Sequence, residues 1–149
     1  MVEANPSSKV LDSDRLPDPC NDRKMPNVKA PPFRPLSKER VFPNNCSNAE
    51  MNVELVRNYL FEGGRVSKEC LLEIMSRTKP VLRSEPNLVR ADGKIIIIGD
   101  IHGQFYDLVS MLRKTVGRDP NYSLLFLGDY VDRGNYGPEV ALLLFCLKL

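Results

Sequence analysis

The chain has 149 residues, enough for one ordinary domain, and 42% of them are hydrophobic, a little low for a well-buried core. Its 21 basic and 19 acidic residues leave a net charge of +2, and the basic ones are scattered rather than striped, so there is no electrostatic footprint for nucleic acid. Cys20, Cys46, Cys70 and Cys146 show no CxxC spacing and read as free thiols in a reducing compartment.

The N-terminus lacks the apolar run of a signal peptide, and the longest apolar run, 140–147, is too short to cross a bilayer. A soluble cytoplasmic protein is expected. Seven of the 12 prolines fall in the first 35 positions, and Pro43 follows them. Proline fixes φ and donates no backbone hydrogen bond, so residues 1–48 are expected to form an extended arm. Val28, Phe33, Leu36, Val41 and Phe42 are spaced along it as points that pin it to a folded body.

From Asn48 a helical period begins, with Leu55, Val56, Tyr59 and Leu60 on one face and Gly63 as the stop. Ser67 then reads as the cap of a second helix, whose stripe is Leu71, Ile74, Met75, Thr78 and Leu82. Pro80 lies inside that stripe and predicts a kink or an early end.

After Asp92-Gly93 the pattern changes. "KIIII" (94–98) is short, β-branched and continuous, as in a strand covered on both faces. A helix follows, with Phe105, Leu108, Val109, Leu112 and Val116 in phase and Gly117 as its stop, and "SLLFL" (123–127) is the next buried strand. Pro138 suits the first turn of a last helix, "PEVALLLFCLKL", which is apolar all round. The order β–α–β–α, with about a dozen helical residues between the strands, is what a parallel pair requires.

Both strands end in the same way, with Gly-Asp followed by a polar turn: "IIIIGDIHGQ" (95–104) and "LLFLGDYVDRG" (124–134). Loops at the carboxyl ends of parallel strands meet in one crevice, where ligands bind. On neighbouring strands Asp100 and Asp129 would occupy equivalent positions, roughly 5 Å apart. Two carboxylates that close repel unless a cation lies between them or one is protonated. With His102 they make an N,O,O set that suits zinc, iron or manganese. Arg133 beside them is ordinarily a salt-bridge partner for the carboxylates, but next to a metal it can instead grip a phosphoryl group in a forked geometry.

"GDIHG" (99–103) and "GDYVDRG" (128–134), with 24 residues between them, resemble the first two signature blocks of the phosphoprotein phosphatases, the binuclear-metal serine/threonine phosphatase family. "VKAPPFRPLSKERVF" (28–42) and the helical pair at 50–83 are similar to the N-terminal part of calcineurin-type catalytic subunits, so the resemblance runs from Asp22 to Leu149. It implies an α/β fold, the N-terminal part of a metallophosphoesterase-type αββα architecture preceded by a proline-rich arm and two helices. Residues 49–149 would be the beginning of the catalytic domain. By the same resemblance Asp100 and His102 would bind a first metal, and Asp129 would bridge it to a second. Asp132 would orient a histidine general acid, and Arg133 would hold the substrate phosphate. The implied cofactors are two ions, iron and zinc or else manganese, which activate a water for in-line attack on phosphoserine or phosphothreonine esters. The implied partners are a phosphoprotein substrate and, in full-length relatives, a calcium-binding regulatory subunit and calmodulin.

The family's third block, Gly-Asn-His-Glu, its two further histidine ligands and its second phosphate-binding arginine have no counterpart here, because His102 is the only histidine. These 149 residues are therefore expected to hold the first half of a site, with at most one weakly bound ion. Taken alone they are expected to be marginally folded and catalytically inactive. Gly137 is a smaller departure, since family members often carry serine there. Two other readings stay open. One is a different metallophosphoesterase, such as a nuclease or nucleotide hydrolase. The other is an inactive fragment or short isoform that acts by binding a partner through its proline-rich arm.

Overall fold

The computed structural model describes residues 34–45, 47–115 and 121–149. They fall into two compact units that divide between Arg77 and Thr78. The expectations for Val28, Phe33, Cys20, Cys46, Val116 and Gly117 lie outside the described residues.

The first unit is organised around Leu36, Val41 and Phe42, all of them buried. Leu36 makes a parallel bridge with Val66: its N–H donates to Arg65 O at 2.7 Å, and its carbonyl accepts from Ser67 N–H at 2.9 Å. Helix α1 (Lys38–Val41) follows. The helix expected from Asn48 begins at Val53 instead. Asn48–Glu50 is a separate 3-10 turn, closed where Ser47 N–H donates to Glu50 Oε2 at 3.1 Å. The start of α2 (Val53–Phe61) is fixed by Asn52, whose Oδ1 accepts from Leu55 N–H at 2.9 Å.

Leu55, Val56, Tyr59 and Leu60 are buried on one face of α2, as their spacing requires. Gly63, at φ 80°, ends the helix. Its N–H bonds to Leu60 O and that of Gly64 to Tyr59 O, both at 2.9 Å, which together satisfy the last carbonyls in a Schellman arrangement.

Helix α3 (Lys68–Ser84) is capped by Ser67, whose Oγ accepts from Cys70 N–H at 3.1 Å. Two corrections apply to it. It runs through Pro80 without ending; the Ser76 carbonyl, which loses its donor, belongs to an exposed residue, where water can replace the bond. Its buried row is Cys70, Ile74 and Thr78, while Leu71, Met75 and Leu82 are exposed. Two adjacent rows compete on this helix, and the one with smaller side chains turns inward. Burial pushes the Cys70 thiol up to about 12, with Glu39 and Glu73 adding to the shift, so the thiol is inert at neutral pH.

The second unit contains β1 (Lys94–Ile98), α4 (Phe105–Thr115), β2 (Tyr122–Phe126) and α5 (Gly137–Lys148). The strands are parallel neighbours in the register Lys94↔Tyr122 to Ile98↔Phe126. Phe105, Leu108, Val109 and Leu112 of α4 and Val140, Leu142, Leu143 and Cys146 of α5 are buried. The strands are not covered on both faces among the described residues. Ile98 is buried, but Ile97, Leu125 and Leu127 on the opposite face are 64%, 41% and 66% exposed. Cys70 and Cys146 are free thiols. No helix among the described residues is long and apolar enough to cross a membrane.

Candidate metal centre

The loops that follow β1 and β2 meet at the carboxyl ends of the strands, and backbone hydrogen bonds stitch them together. Leu127 N–H bonds to Ile98 O at 2.9 Å, extending the ladder by one residue beyond the strands. The carbonyl of Asp129 then accepts from both Ile101 and His102 N–H at 3.0 Å, and that of Tyr130 accepts from Gly103 N–H at 2.8 Å.

The strand register differs by one residue from what the repeated Gly-Asp suggested. Pairing Ile98 with Phe126 sets Asp100 level with Gly128, so Asp129 lies one residue further along its loop. The turn absorbs that offset. Gly128 adopts φ 117°, and Asp129 itself takes φ 52°. His102 and Arg133, at φ 49° and 68°, share this uncommon left-handed backbone. Three of the four described non-glycine residues with positive φ are thus candidate site residues, the pattern of strain held where function needs a fixed geometry.

The side chains converge accordingly. Asp100, His102 and Asp129 each offer one donor atom, and these atoms lie within 4.8 Å of one another. His102 Nδ1 is 2.9 Å from Asp129 Oδ1, and His102 Nε2 is 3.5 Å from Asp100 Oδ2. Asp132 also comes in, with Oδ1 3.4 Å from His102 Nδ1. His102 Nδ1 is thus buried and crowded by the carboxylate oxygens of Asp129 and Asp132.

Three carboxylates around one partly buried imidazole concentrate negative charge, an expensive arrangement for protein atoms alone. It fits a cation. Nitrogen and oxygen donors bind zinc at about 2.0–2.2 Å, so donors spaced like these can share one ion with small adjustments. The N,O,O chemistry suits zinc, iron or manganese equally.

Charge tells the same story. The Asp129 carboxyl is held above its ordinary value, first because its protonated form hydrogen-bonds Asp132, then by partial burial and the neighbouring negative charges. Asp132 is held below its ordinary value by the same bond and by backbone donors. The two carboxyls thus oppose each other's ionisation, and a cation between them would relieve that. Arg133 stands at the rim, 77% exposed, with Nε 4.0 Å from Asp132 Oδ2.

All five candidate residues thus lie on the two loops, with Asp100, His102, Asp129 and Asp132 in mutual reach and Arg133 beside Asp132. What the sequence did not signal is the backbone side of the site. The Asp129 carbonyl carries two bonds from the other loop, and a side chain on Gly134 would collide with the His102 carbonyl. Only the recurrence of glycine in both loops hinted at so close an approach.

The fold and this loop pair define a class: residues 93–149 match the calcineurin-like phosphoesterase family. More particularly, the chain resembles the N-terminal portion of serine/threonine-protein phosphatase catalytic subunits. It is 40% identical over 129 residues to the catalytic subunit A1 of serine/threonine-protein phosphatase 2B from Saccharomyces cerevisiae, a match covering 86% of this chain and 23% of that protein. Against the serine/threonine-protein phosphatase 6 catalytic subunit of Caenorhabditis elegans the identity is 53% over 68 residues, covering 46% of this chain and 20% of the relative. Among solved structures, a serine/threonine phosphatase from Saccharomyces cerevisiae with similarity to human phosphatase PP5 superposes with a TM-score of 0.54 at 40% identity, over 60% of this chain and 30% of that one. The chain spans between a fifth and a third of the length of most of these relatives.

Proposed function

We propose that these residues form the first half of the active site of a metal-dependent serine/threonine protein phosphatase, which hydrolyses phosphoserine and phosphothreonine esters of protein substrates in the cytoplasm. The observation that carries the reading is the convergence of Asp100, His102 and Asp129, with Asp132 beside them, at the ends of two parallel strands. Asp100 and His102 would hold one ion, and Asp129, between the two loops, would reach a second. When bound, such ions supply Lewis-acid chemistry: they lower the pKa of water to about 7 and offset phosphoryl charge. Among the described residues Asp100, His102 and Asp129 form the candidate metal cluster, enough donors for one ion.

The chain's own contributions follow from placement. Arg133 projects from the loop rim and can grip two phosphoryl oxygens with its guanidinium. By the family resemblance, Asp132 would orient a proton donor on the leaving-alcohol side, and the substrate would be a phosphoprotein. Iron with zinc, or manganese, fits the donors. A calcium-binding regulatory subunit and calmodulin remain the partners that the calcineurin-type resemblance suggests.

The test is orthophosphate binding in the presence of Mn²⁺, followed by calorimetry. Arg133→Ala is expected to weaken phosphate at least tenfold and to leave Mn²⁺ affinity unchanged. Phosphate that ignores both Mn²⁺ and Arg133 would remove the basis for this reading. Turnover of a phosphoserine peptide by the 149-residue chain, lost in His102→Ala, would contradict the half-site assignment.

A further inference from the structure

Gly134 closes the "GDYVDRG" turn, yet its φ is not in the left-handed range, so conformational freedom does not explain the glycine. What it supplies is room. A Cβ at this position would lie 2.1 Å from the His102 carbonyl oxygen and 2.9 Å from the Gly103 carbonyl carbon. All the atoms in the way are backbone, so no side chain can swing aside. From the other loop the contact looks the same, because a Cβ on Gly103 would meet the Gly134 backbone at 2.9 Å. The two loops lie backbone on backbone at this point.

That contact sits between the residues that matter. His102 directly precedes Gly103, and Arg133 directly precedes Gly134. The contact is flanked on one side by the bonds from Ile101, His102 and Gly103 N–H to the Asp129 and Tyr130 carbonyls, and on the other by Tyr136 N–H donating to Gly103 O at 3.3 Å. Both ends of the His102 segment are therefore tied to the second loop by protein atoms alone.

We propose that Gly134 is a positioning residue for the metal centre: its absent side chain lets the second loop seat on the His102 carbonyl, so that the backbone rather than the ion fixes His102 against Asp129. The proposal rests on the metal reading given above. Any side chain at residue 134 would push the His102 backbone away and carry the imidazole with it, while also displacing Arg133. Groups that orient a metal ligand without touching the metal typically change affinity by about 10–100-fold.

Gly137 provides the control. A Cβ there would also collide with backbone, lying 2.5 Å from the Val131 carbonyl oxygen, but it meets neither His102 nor Gly103. Mn²⁺ binding to the full chain is measured by calorimetry for wild type, Gly134→Ala and Gly137→Ala. Gly134→Ala should bind at least tenfold more weakly, and Gly137→Ala within about threefold of wild type. Equal affinity of Gly134→Ala and wild type overturns the proposal, as does an equal loss in both variants, which would reflect general damage to the turn. Wild-type protein that binds no Mn²⁺ would instead sink the metal reading itself.

Hydrogen exchange on metal-free wild type decides the matter if Gly134→Ala fails to fold. The amides of His102 and Gly103 should be protected as strongly as those of β1 before any ion is added. Exchange at the free-chain rate until Mn²⁺ is present would mean that the ion orders the loop, and the proposal would fall.

Discussion

His102 is the residue on which the site turns, and its meaning depends on its neighbours rather than on itself. A lone histidine in a loop is ordinary; one whose buried Nδ1 lies 2.9 Å from one carboxylate and 3.4 Å from another is not. The residue types and their place at strand ends were legible in the sequence, because donor chemistry is carried by residue identity. The left-handed backbone at His102, Asp129 and Arg133 was not legible, because it is imposed by contacts between loops. Glu73 shows the same dependence on partners. Arg77 Nε lies 2.7 Å and Lys38 Nζ 3.0 Å from its carboxylate, and these bonds, with Arg77 first, hold Glu73 below its ordinary value. A depressed carboxyl stabilises the fold above its unfolded pKa and loses that contribution as pH falls through the folded one. Glu73→Gln is therefore expected to cost about 0.5–1 kcal/mol in urea unfolding at neutral pH and nothing near pH 2. An equal cost at both pH values would show that the charge is not the source.

Among the elements, α2 and α4 were readable from periodicity, since their apolar residues leave little choice of face, and the strands from their short, continuous apolar runs. Helix α3 was readable only in part. Ile74 and Thr78 of its expected stripe are buried, but Leu71, Met75 and Leu82 are exposed, because tertiary packing chose the row at 70–74–78. Its Pro80 breaks a bond that water can replace, so the helix continues through it. Proline in a helix interior costs about 3 kcal/mol, and exposure lessens this. Pro80→Ala should raise stability by about 1–3 kcal/mol, read as a higher urea midpoint with an unchanged slope. A lower midpoint would mean that the Pro80 ring has a packing role. The one-residue offset between the Gly-Asp pairs belongs at this scale too. Hydrophobic runs set which strands pair, while register is set by the backbone ladder and by the turns that follow.

At the scale of the whole chain, the second unit holds a two-stranded parallel sheet whose face at Ile97, Leu125 and Leu127 is open among the described residues. Parallel sheets are ordinarily covered on both faces, so this surface is a liability for the 149 residues by themselves. The chain is expected to bind the apolar dye ANS and to associate with rising concentration, whereas a monomer without dye enhancement would show that the face is covered. The sequence pointed to a doubly covered sheet because its strand runs are continuous, and only placement of the helices reveals which side is filled.

The metal content of the purified chain tests the central claim most directly. In equilibrium dialysis against Mn²⁺, wild type should bind about one equivalent, and His102→Ala and Asp129→Asn essentially none. No bound ion in wild type, or the same amount in all three proteins, would mean that the two loops meet for a structural reason and do not form a metal centre.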